Sequence, residues 1–166
     1  MPEFRHLSNI IRLRKELISV PIACEVPGVT VRTFAGPGDA EAWLNLRAAA
    51  FAEIVAAGRP WTTADFHREF LAKPWWSPGV MWLATPTANA ERQRPESSTS
   101  LAGAITLGRA GRPPNEVASV QWLMVDPQFR RRGVAMLLLN TLEAETWHFG
   151  ERTLTLETRR FLDGGD

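Results

Sequence analysis

The sequence contains no tyrosine, and it has one cysteine, two lysines and three histidines in 166 residues. The single cysteine, Cys24, excludes a disulfide within the chain and is typical of a reducing compartment, so we expect a cytoplasmic protein. The three histidines are scattered and no CxxC or HExxH motif is present, so we expect no metal site. The missing tyrosine removes one common proton donor of enzyme active sites.

Long apolar runs and an excess of one charge are also missing. No run approaches the roughly 18 apolar residues that a membrane span requires, so we expect no membrane partner. The formal net charge of +1 offers no overall attraction for nucleic acid, and we expect none as a partner. The length suits one domain with a substantial core.

Apolar periodicity and turn residues divide the chain into predicted elements. Thr62 and Asp65 have the spacing of a capping box at the start of a helix. The order predicts an α+β (α/β) arrangement, in which a mixed, mostly antiparallel sheet carries helices on its faces and the last strand lies parallel to the one before it. The predicted elements are a weak basic amphipathic helix at 4–20, a strand at 29–34, helices at 39–57 and 62–73, strands at 80–85, 101–108 and 117–125, a helix at 133–149 and a strand at 152–158.

The strand predicted at 117–125 has two unequal faces. Strict alternation places four apolar residues on one face, while the other face mixes polar and apolar residues. The mixed face is either the wall of a cleft or an ordinary half-solvated sheet surface. The apolar face consists of Ala118, Val120, Trp122 and Met124, and the mixed face consists of Ser119, Gln121, Leu123 and Val125.

The segment "VDPQFRRRGVAM" joins this strand to the next helix and concentrates positive charge at the helix start. A helix N-terminus has unpaired N–H groups and the positive end of the helix dipole. Gly133 leaves the backbone approachable, and Arg130, Arg131 and Arg132 add charge around it. The residues alone therefore indicate either an anion site, for example for phosphate, or a solvated basic turn.

This segment resembles the acyl-coenzyme-A signature of the GCN5-related N-acetyltransferase (GNAT) superfamily. That signature has Gln or Arg, two residues, Gly, one residue, and then Gly or Ala. "RRRGVA" fits it with Arg130, Gly133 and Ala135 in the marked positions, and the resemblance covers about residues 29–158. It divides the chain into an N-terminal extension at 1–27 and a C-terminally short GNAT domain at 28–166.

The resemblance implies acetyl-CoA as co-substrate and an amine of a small molecule or peptide as acceptor. Backbone N–H groups of residues 130–135, Val134 included, would bind the pyrophosphate. Leu123, Met124 and Val125 would bond to the pantetheine arm, and one of their N–H groups would polarise the thioester carbonyl. The strands at 117–125 and 152–158 would splay apart to admit the thioester.

The sequence departs from the family pattern at the expected catalytic groups. Many members place a glutamate within the strand, where this chain has Ser119. Glu116 precedes the strand and would act through a water, and Gln121 would orient the acceptor without accepting a proton. The tyrosine that often protonates the leaving thiolate has no counterpart.

The chain also ends soon after the last predicted strand, where the family normally adds a helix and further strands. The last strand would then be a bare sheet edge. Three explanations are considered: a truncated chain, which we favour, an edge covered by residues 1–27, or a homodimer that pairs through the exposed strand.

The segment 59–79 concentrates aromatic residues, including Trp61, Phe66, Phe70, Trp75 and Trp76. In the family this region lines the acceptor site, and ordinary core packing is the alternative. His67 is predicted to be a surface residue. The sequence as a whole predicts an N-acetyltransferase, and the alternative is a degenerate GNAT-like domain that binds acyl-CoA or a partner chain without catalysis.

Overall fold

One six-stranded sheet organises the chain, which is described by a computed structural model over residues 9–52, 59–88 and 100–160. The strand order is β1-β6-β5-β4-β3-β2. Every neighbouring pair is antiparallel except β5 and β6, which are parallel because a helix crosses over between them. The predicted mixed sheet is thereby confirmed. The strands are β1 (Asn9–Glu16), β2 (Val29–Thr33), β3 (Met81–Pro86), β4 (Gly103–Ala110), β5 (Val117–Val125) and β6 (Thr153–Arg160).

Within the described residues, three helices flank the sheet: α1 (Pro37–Ala50), α2 (Thr63–Phe66) and α3 (Val134–His148). Helix α2 runs directly into a π-helical turn, His67–Leu71, and short 3-10 turns cover Pro78–Val80 and Pro127–Phe129. The capping box of Thr62 and Asp65 is present, as predicted.

Helix α1 differs from its prediction at both ends. It begins at Pro37 behind Gly36, two residues before its predicted start at 39, where the notionally capping side chain of Asp39 would have stood outside the helix. Asp39 lies in the first turn and accepts a 2.7 Å hydrogen bond from the N–H of Ala35. The helix ends at Ala50, and the rest of the predicted element, at 53–57, lies outside the described residues.

Each face of the sheet carries its own apolar core. Helix α3 packs on one face, and α1 and α2 pack on the other, so we call these the α3 face and the α1 face. The π-helical turn contributes the fully buried Phe70 to the α1 face. The α3-face core includes Ile105, Ala118, Val120, Val134, Leu138, Leu142 and Leu154, and the α1-face core includes Trp43, Leu46, Phe66, Phe70, Met81, Leu83 and Met124.

The N-terminal segment covers the edge of β6. β1 pairs with β6 along its full length, from Asn9↔Arg160 to Glu16↔Thr153, and the N–H of Leu17 continues the ladder to the carbonyl of Arg152 at 2.8 Å. The predicted helix at 4–20 is therefore wrong over residues 9–16, and residues 1–8 lie outside the described part. Since β6 is not a bare edge, the reason to expect a homodimer through it is removed. Of the three explanations, the structure supports coverage by the N-terminal segment.

Among the described residues, no helix combines the length and the apolar character needed to cross a membrane.

The contact of β1 with α3 predicts that removing Lys15 lowers the stability of the protein more than removing Arg12, another cation of the same strand. Lys15 binds Glu143 of α3 at 2.6 Å, and the Glu143 side chain is only 10% exposed. Lys15→Ala leaves that carboxylate without its cation, so we expect a loss of about 1–3 kcal/mol in the free energy of unfolding, measured by urea denaturation.

The matched control is Arg12→Ala. Arg12 binds Glu157 at 2.7 Å, but both side chains are more than half exposed, so we expect a loss below about 1 kcal/mol. Equal losses in the two variants would show that β1 is not anchored through Glu143.

Candidate functional site

A bulge in β5 reverses which side chains face which side of the sheet. Thr106 and Ala104 of β4 pair with Gln121 and Met124, so β5 contains one extra residue between these pairs. Trp122 occupies this position with φ +51°, in the left-handed region that is uncommon for a large side chain. The bulge redirects the strand by one residue.

The predicted common face of Ala118, Val120, Trp122 and Met124 is therefore wrong. Ala118 and Val120 pack in the α3-face core, whereas Met124 belongs to the α1-face core and Trp122 packs against it. Strict alternation failed because an inserted residue shifts every later side chain to the opposite face.

β5 and β6 part immediately before the bulge. Their parallel ladder joins residues 118–120 to 154–156 and ends at the pair Val120↔Leu156. Beyond that pair, and within the described residues, β5 pairs with β4 and β6 pairs with β1. The result is a gap between the C-terminal halves of two parallel strands.

Backbone groups of β5 point into this gap. The N–H of Asp126 donates to the carbonyl of Ala102 at 3.0 Å, and Met124 pairs with Ala104. Because hydrogen-bonded positions alternate along an antiparallel ladder, the polar groups of Leu123 and Val125 face away from β4, toward the gap. Of the three residues predicted to bond to the pantetheine arm, Leu123 and Val125 direct their backbone polar groups toward the gap. Met124 directs its backbone groups toward β4 instead.

The turn after β5 is ordered by Asp126. This buried side chain accepts a 2.9 Å hydrogen bond from the N–H of Gln128 and caps the short 3-10 turn. Arg131 and Gly133 then take φ of +62° and +88°, and α3 begins at Val134. Gly133 is the N-cap and has no side chain with which to cap the helix. The N–H groups of the first helical turn have no carbonyl of α3 to bond to, as at any helix start.

The three arginines of this turn have different surroundings. The guanidinium of Arg130 donates to the carbonyl of Ala50 at 2.8 Å, so it binds the C-terminal end of α1. Arg132 lies over the ring of Phe129, 5.4 Å from its centroid, and both Arg131 and Arg132 are exposed. Two exposed arginine side chains and the N–H groups of the first helical turn are thus gathered at one helix start, which suits an anion.

The residues predicted to be catalytic lie apart along β5. Glu116 is exposed in the β4–β5 hairpin, and Ser119 is buried, with 5% exposure. The side chain of Gln121 lies over Gly108 of β4, where an added Cβ would come within 2.3 Å of it. Gly108 therefore makes room for Gln121, and the pairing with Thr106 and Gly108 places Ser119 and Gln121 on the α1 face.

Two functional candidates on the α1 face, Arg47 and Glu69, were missed by the sequence analysis. The indole Nε1 of Trp122 donates to Glu69 Oε1 at 2.9 Å. Arg47 of α1 lies over two indoles, 4.0 Å from the ring centroid of Trp61 and 5.3 Å from that of Trp122. Because the bulge turns Trp122 to this face, alternation along β5 gave no signal that Arg47, Glu69 and Trp61 would meet it.

The aromatic segment contributes to the core of the α1 face, as the core-packing alternative expects. Phe66 and Phe70 are fully buried and pack against Trp43, as ordinary core residues do. Trp61 is only partly buried and lies 5.0 Å from Trp122, on the side of the bulge. His67 is exposed, as predicted.

Asp65 holds this aromatic segment in place. The guanidinium of Arg59 donates to both carboxylate oxygens, at 2.6 and 2.7 Å, and Arg68 donates to one of them. The N–H of Thr62 donates to the same carboxylate at 2.8 Å. The Arg59 bonds, aided by the Thr62 N–H, hold the pKa of the Asp65 carboxyl well below its usual range.

No group of three or more His, Cys, Asp or Glu side chains suited to a metal ion occurs among residues 9–52, 59–88 and 100–160.

Comparisons with known proteins identify the family. The family model described as "Acetyltransferase (GNAT) family" matches residues 40–163, about three quarters of the chain, so the chain belongs to that family. The chain is 29% identical over 159 residues to a mycothiol acetyltransferase of Mycobacterium ulcerans, and it is 49% identical over 84 residues to one of Frankia casuarinae. The first match covers 93% of this chain and 48% of the relative, and the second covers 49% and 24%.

Solved structures share the fold. A GCN5-related N-acetyltransferase from Sphaerobacter thermophilus superposes with a TM-score of 0.71 at 20% identity, over 98% of this chain and 46% of that one. The NatC complex bound to Gag peptide and CoA superposes with a TM-score of 0.54 at 16% identity, over 78% of this chain and 74% of that one. This chain thus spans about half the length of the mycothiol acetyltransferase of Mycobacterium ulcerans and of the Sphaerobacter protein.

The left-handed conformation of Gly133 predicts a backbone-specific cost of substitution. Gly133→Ala adds a Cβ that meets only Val26, at 3.4 Å, but it forces an L side chain to φ +88°. We expect a loss of about 1–2 kcal/mol in the free energy of unfolding, measured by urea denaturation.

The control is Gly38→Ala in the first turn of α1. An added Cβ there meets nothing within 4 Å, and no positive φ has to be kept. We expect stability to be unchanged or raised by up to about 1 kcal/mol. A Gly133→Ala protein as stable as Gly38→Ala would refute the left-handed helix start.

The low pKa of Asp65 predicts a pH-dependent contribution to stability. A carboxyl whose pKa is depressed in the folded state stabilises that state above its unfolded pKa of about 3.9, and the contribution is lost as pH falls further. Asp65→Asn should therefore lower the urea midpoint at pH 7, and its difference from the parent should shrink progressively below about pH 5.

The control is Glu145→Gln, on the surface of α3. Its urea midpoint should stay close to that of the parent both at pH 7 and below pH 5. If Asp65→Asn stays equally destabilised down to pH 2, the carboxylate charge is not what stabilises α2.

Proposed function

We propose that this member of the acetyltransferase (GNAT) family transfers an acetyl group from acetyl-CoA to an amine. The observation that carries the proposal is the gap between β5 and β6, which opens directly before the anion-binding turn of α3. A ligand with a phosphate end and an extended arm fits this arrangement, because the turn offers charge and the gap offers an unpaired strand edge.

The phosphate end is assigned to residues 131–135. Their N–H groups, the exposed Arg131 and Arg132 and the helix dipole all favour a pyrophosphate there. Arg130 has a different role, because its guanidinium is bound to the carbonyl of Ala50. Arg130 contributes its backbone and fixes the turn against α1.

The extended arm is assigned to the edge of β5 that faces the gap. Leu123 and Val125 would bond to its amides as a further strand would, and Met124 would hold the edge in place by pairing with β4. A backbone N–H of this edge would polarise the thioester carbonyl and stabilise the negative charge that develops on its oxygen.

Transfer requires a neutral amine next to that carbonyl. The amine attacks the carbonyl carbon and the C–S bond breaks. The nitrogen loses one proton, the leaving thiolate takes one up, and the products are an N-acetyl amide and free CoA thiol. Ser119 and Gln121 lie on the same face of β5 and would orient the amine, while Glu116 is exposed and would act only through water. Much of the rate would then come from holding the two substrates in contact.

The name of the relatives suggests one acceptor to include in any assay. The matched proteins are mycothiol acetyltransferases, so the unacetylated form of mycothiol is a candidate for this chain. The acceptor screen should also include peptide amines and small amines, because the family relationship by itself specifies none of them.

The proposal predicts that acetyl-CoA stabilises the protein through the turn of α3. At about 100 times its dissociation constant, the ligand should add about 2.7 kcal/mol, which raises the melting temperature by several degrees. Gly133→Glu places a carboxylate where the phosphates bind and should abolish the rise.

Arg131→Glu and Arg112→Glu form a matched pair with the same change in charge at an exposed arginine. Arg131 lies in the turn, whereas Arg112 lies in the β4–β5 hairpin. We expect a reduced rise for Arg131→Glu and the parent's rise for Arg112→Glu. A folded parent without any rise would refute the cofactor site.

Turnover separates an enzyme from a binding domain. Release of free CoA thiol that depends on an added amine, together with the acetylated amine detected by mass spectrometry, is the expected result. Binding of acetyl-CoA without transfer to any amine of a broad panel would favour the non-catalytic alternative.

A further inference from the structure

We propose that the acceptor carries a carboxylate beside its amine, and that Arg47 binds this carboxylate on the α1 face next to the bulge. The inference rests on the proposed function and extends it to the chemical class of the acceptor, a small aminocarboxylate such as an amino acid.

Arg47 is a half-buried cation without an ion-pair partner in the described part of the chain. Its Nε is buried without a hydrogen-bond partner, and no described carboxylate lies within 4.0 Å of its guanidinium. Arg109, the other half-buried arginine among the described side chains, pairs with Glu151. A buried cation is normally paired because the loss of hydration has to be offset, so the difference sets Arg47 apart.

The two nearest acidic residues are engaged elsewhere. Burial lowers the pKa of the Arg47 guanidinium, although Asp65 and Glu69 both lie close enough to favour its charged form. The carboxylate of Asp65 accepts hydrogen bonds from Arg59, Arg68 and Thr62. The carboxylate of Glu69 accepts one from the indole N–H of Trp122. The outer edge of the Arg47 guanidinium is therefore not used by these carboxylates.

The indoles on its faces orient Arg47. Trp61 and Trp122 lie 4.0 and 5.3 Å from its central carbon and leave the planar fork of N–H donors at the edge. Such a fork matches the two oxygens of a carboxylate. A doubly charged phosphate fits less well, because Glu69 and Asp65 would repel it.

Glu69 supplies the complementary charge. Arg47 and Glu69 contact the same indole, Trp122, one at its ring face and the other at its N–H. A positive and a negative group that share one platform without pairing directly match a ligand with the opposite pattern, a carboxylate and an amino group a few bonds apart. Glu69 would attract the amino group and Arg47 the carboxylate.

The position of Trp122 connects this pair to the transfer. Trp122 is the residue with the left-handed conformation at the bulge, and the next residue, Leu123, presents its backbone to the gap. An amino group held near Glu69 would therefore lie on the α1 face of β5, next to the residues whose backbone would hold the thioester in the gap.

The test compares amino acids with their C-terminal amides, which replace the carboxylate by a neutral group, at a pH high enough for both amines to be mostly neutral. Acetyl transfer to each member of the twenty pairs is measured as kcat/KM with saturating acetyl-CoA. We expect the parent to favour the acid over the amide by about ten- to hundredfold for its best pair, because a charge-assisted bidentate contact is lost in the amide.

The variant Arg47→Gln should remove this preference, mainly through a higher KM for the acid, and Arg47→Lys should restore part of it. Arg68→Gln is the matched control, because Arg68 is 72% exposed and Asp65 keeps its bonds to Arg59. The control should keep the parent's preference. Parent kcat/KM values that are equal for acids and amides would overturn the inference.

A binding measurement keeps the inference testable if turnover is slow. In the presence of CoA, N-acetyl amino acids should bind the parent more tightly than their amides, and this difference should vanish in Arg47→Gln. The melting rise with acetyl-CoA should be the same in both proteins. An unchanged rise with equal binding of acids and amides would refute the carboxylate site alone, whereas a missing rise in the parent would refute the cofactor site on which it rests.

Discussion

The left-handed conformation of Trp122 is the constraint on which the arrangement of the site depends. One extra residue in β5 turns Trp122 and Met124 to the α1 face, and it does so where β5 parts from β6. Pairing with β4 continues on both sides of the bulge, so the strand changes its faces without leaving the sheet. The left-handed conformation at φ +51° costs free energy for a residue with a large side chain. Packing of the Trp122 ring against Trp43 and Trp61 offsets this cost and holds the conformation in place.

The same bulge relates the two proposed substrate sides. On one side the backbone of Leu123 and Val125 faces the gap, and on the other the indole of Trp122 meets Glu69 and Arg47. The contact of Arg130 with the carbonyl of Ala50 adds a second connection, because it joins the proposed anion-binding turn to the end of the helix that carries Arg47. A movement of α1 would therefore affect both substrate sides.

The edge of β6 is covered by a strand from the opposite end of the described chain. β1 supplies the antiparallel neighbour that β6 would otherwise lack, and Lys15 anchors it to α3 through Glu143. β6 pairs with β5 over only three positions, so without β1 most of its length would lack a neighbour within the described residues. The N-terminal strand β1 thus stabilises β6, which forms one side of the gap, although the two strands are far apart in sequence.

Local signals carried much of this architecture. The turn residues and apolar runs predicted β5 to its observed bounds, the spacing of Thr62 and Asp65 predicted the start of α2, and Gly133 after three arginines predicted the helix start. Each depends on neighbours within a few residues, so the amino-acid sequence alone was sufficient. The tertiary structure decided the pairing of β1, which as an isolated segment has the spacing of an amphipathic helix, and the bulge at Trp122. Both arise from partners distant in the chain: the open edge of β6 for the first, and the aromatic side chains of α1 and the 59–71 segment for the second. The meeting of Arg47 and Glu69 at one indole followed from that bulge, and no periodicity in the chain could encode it.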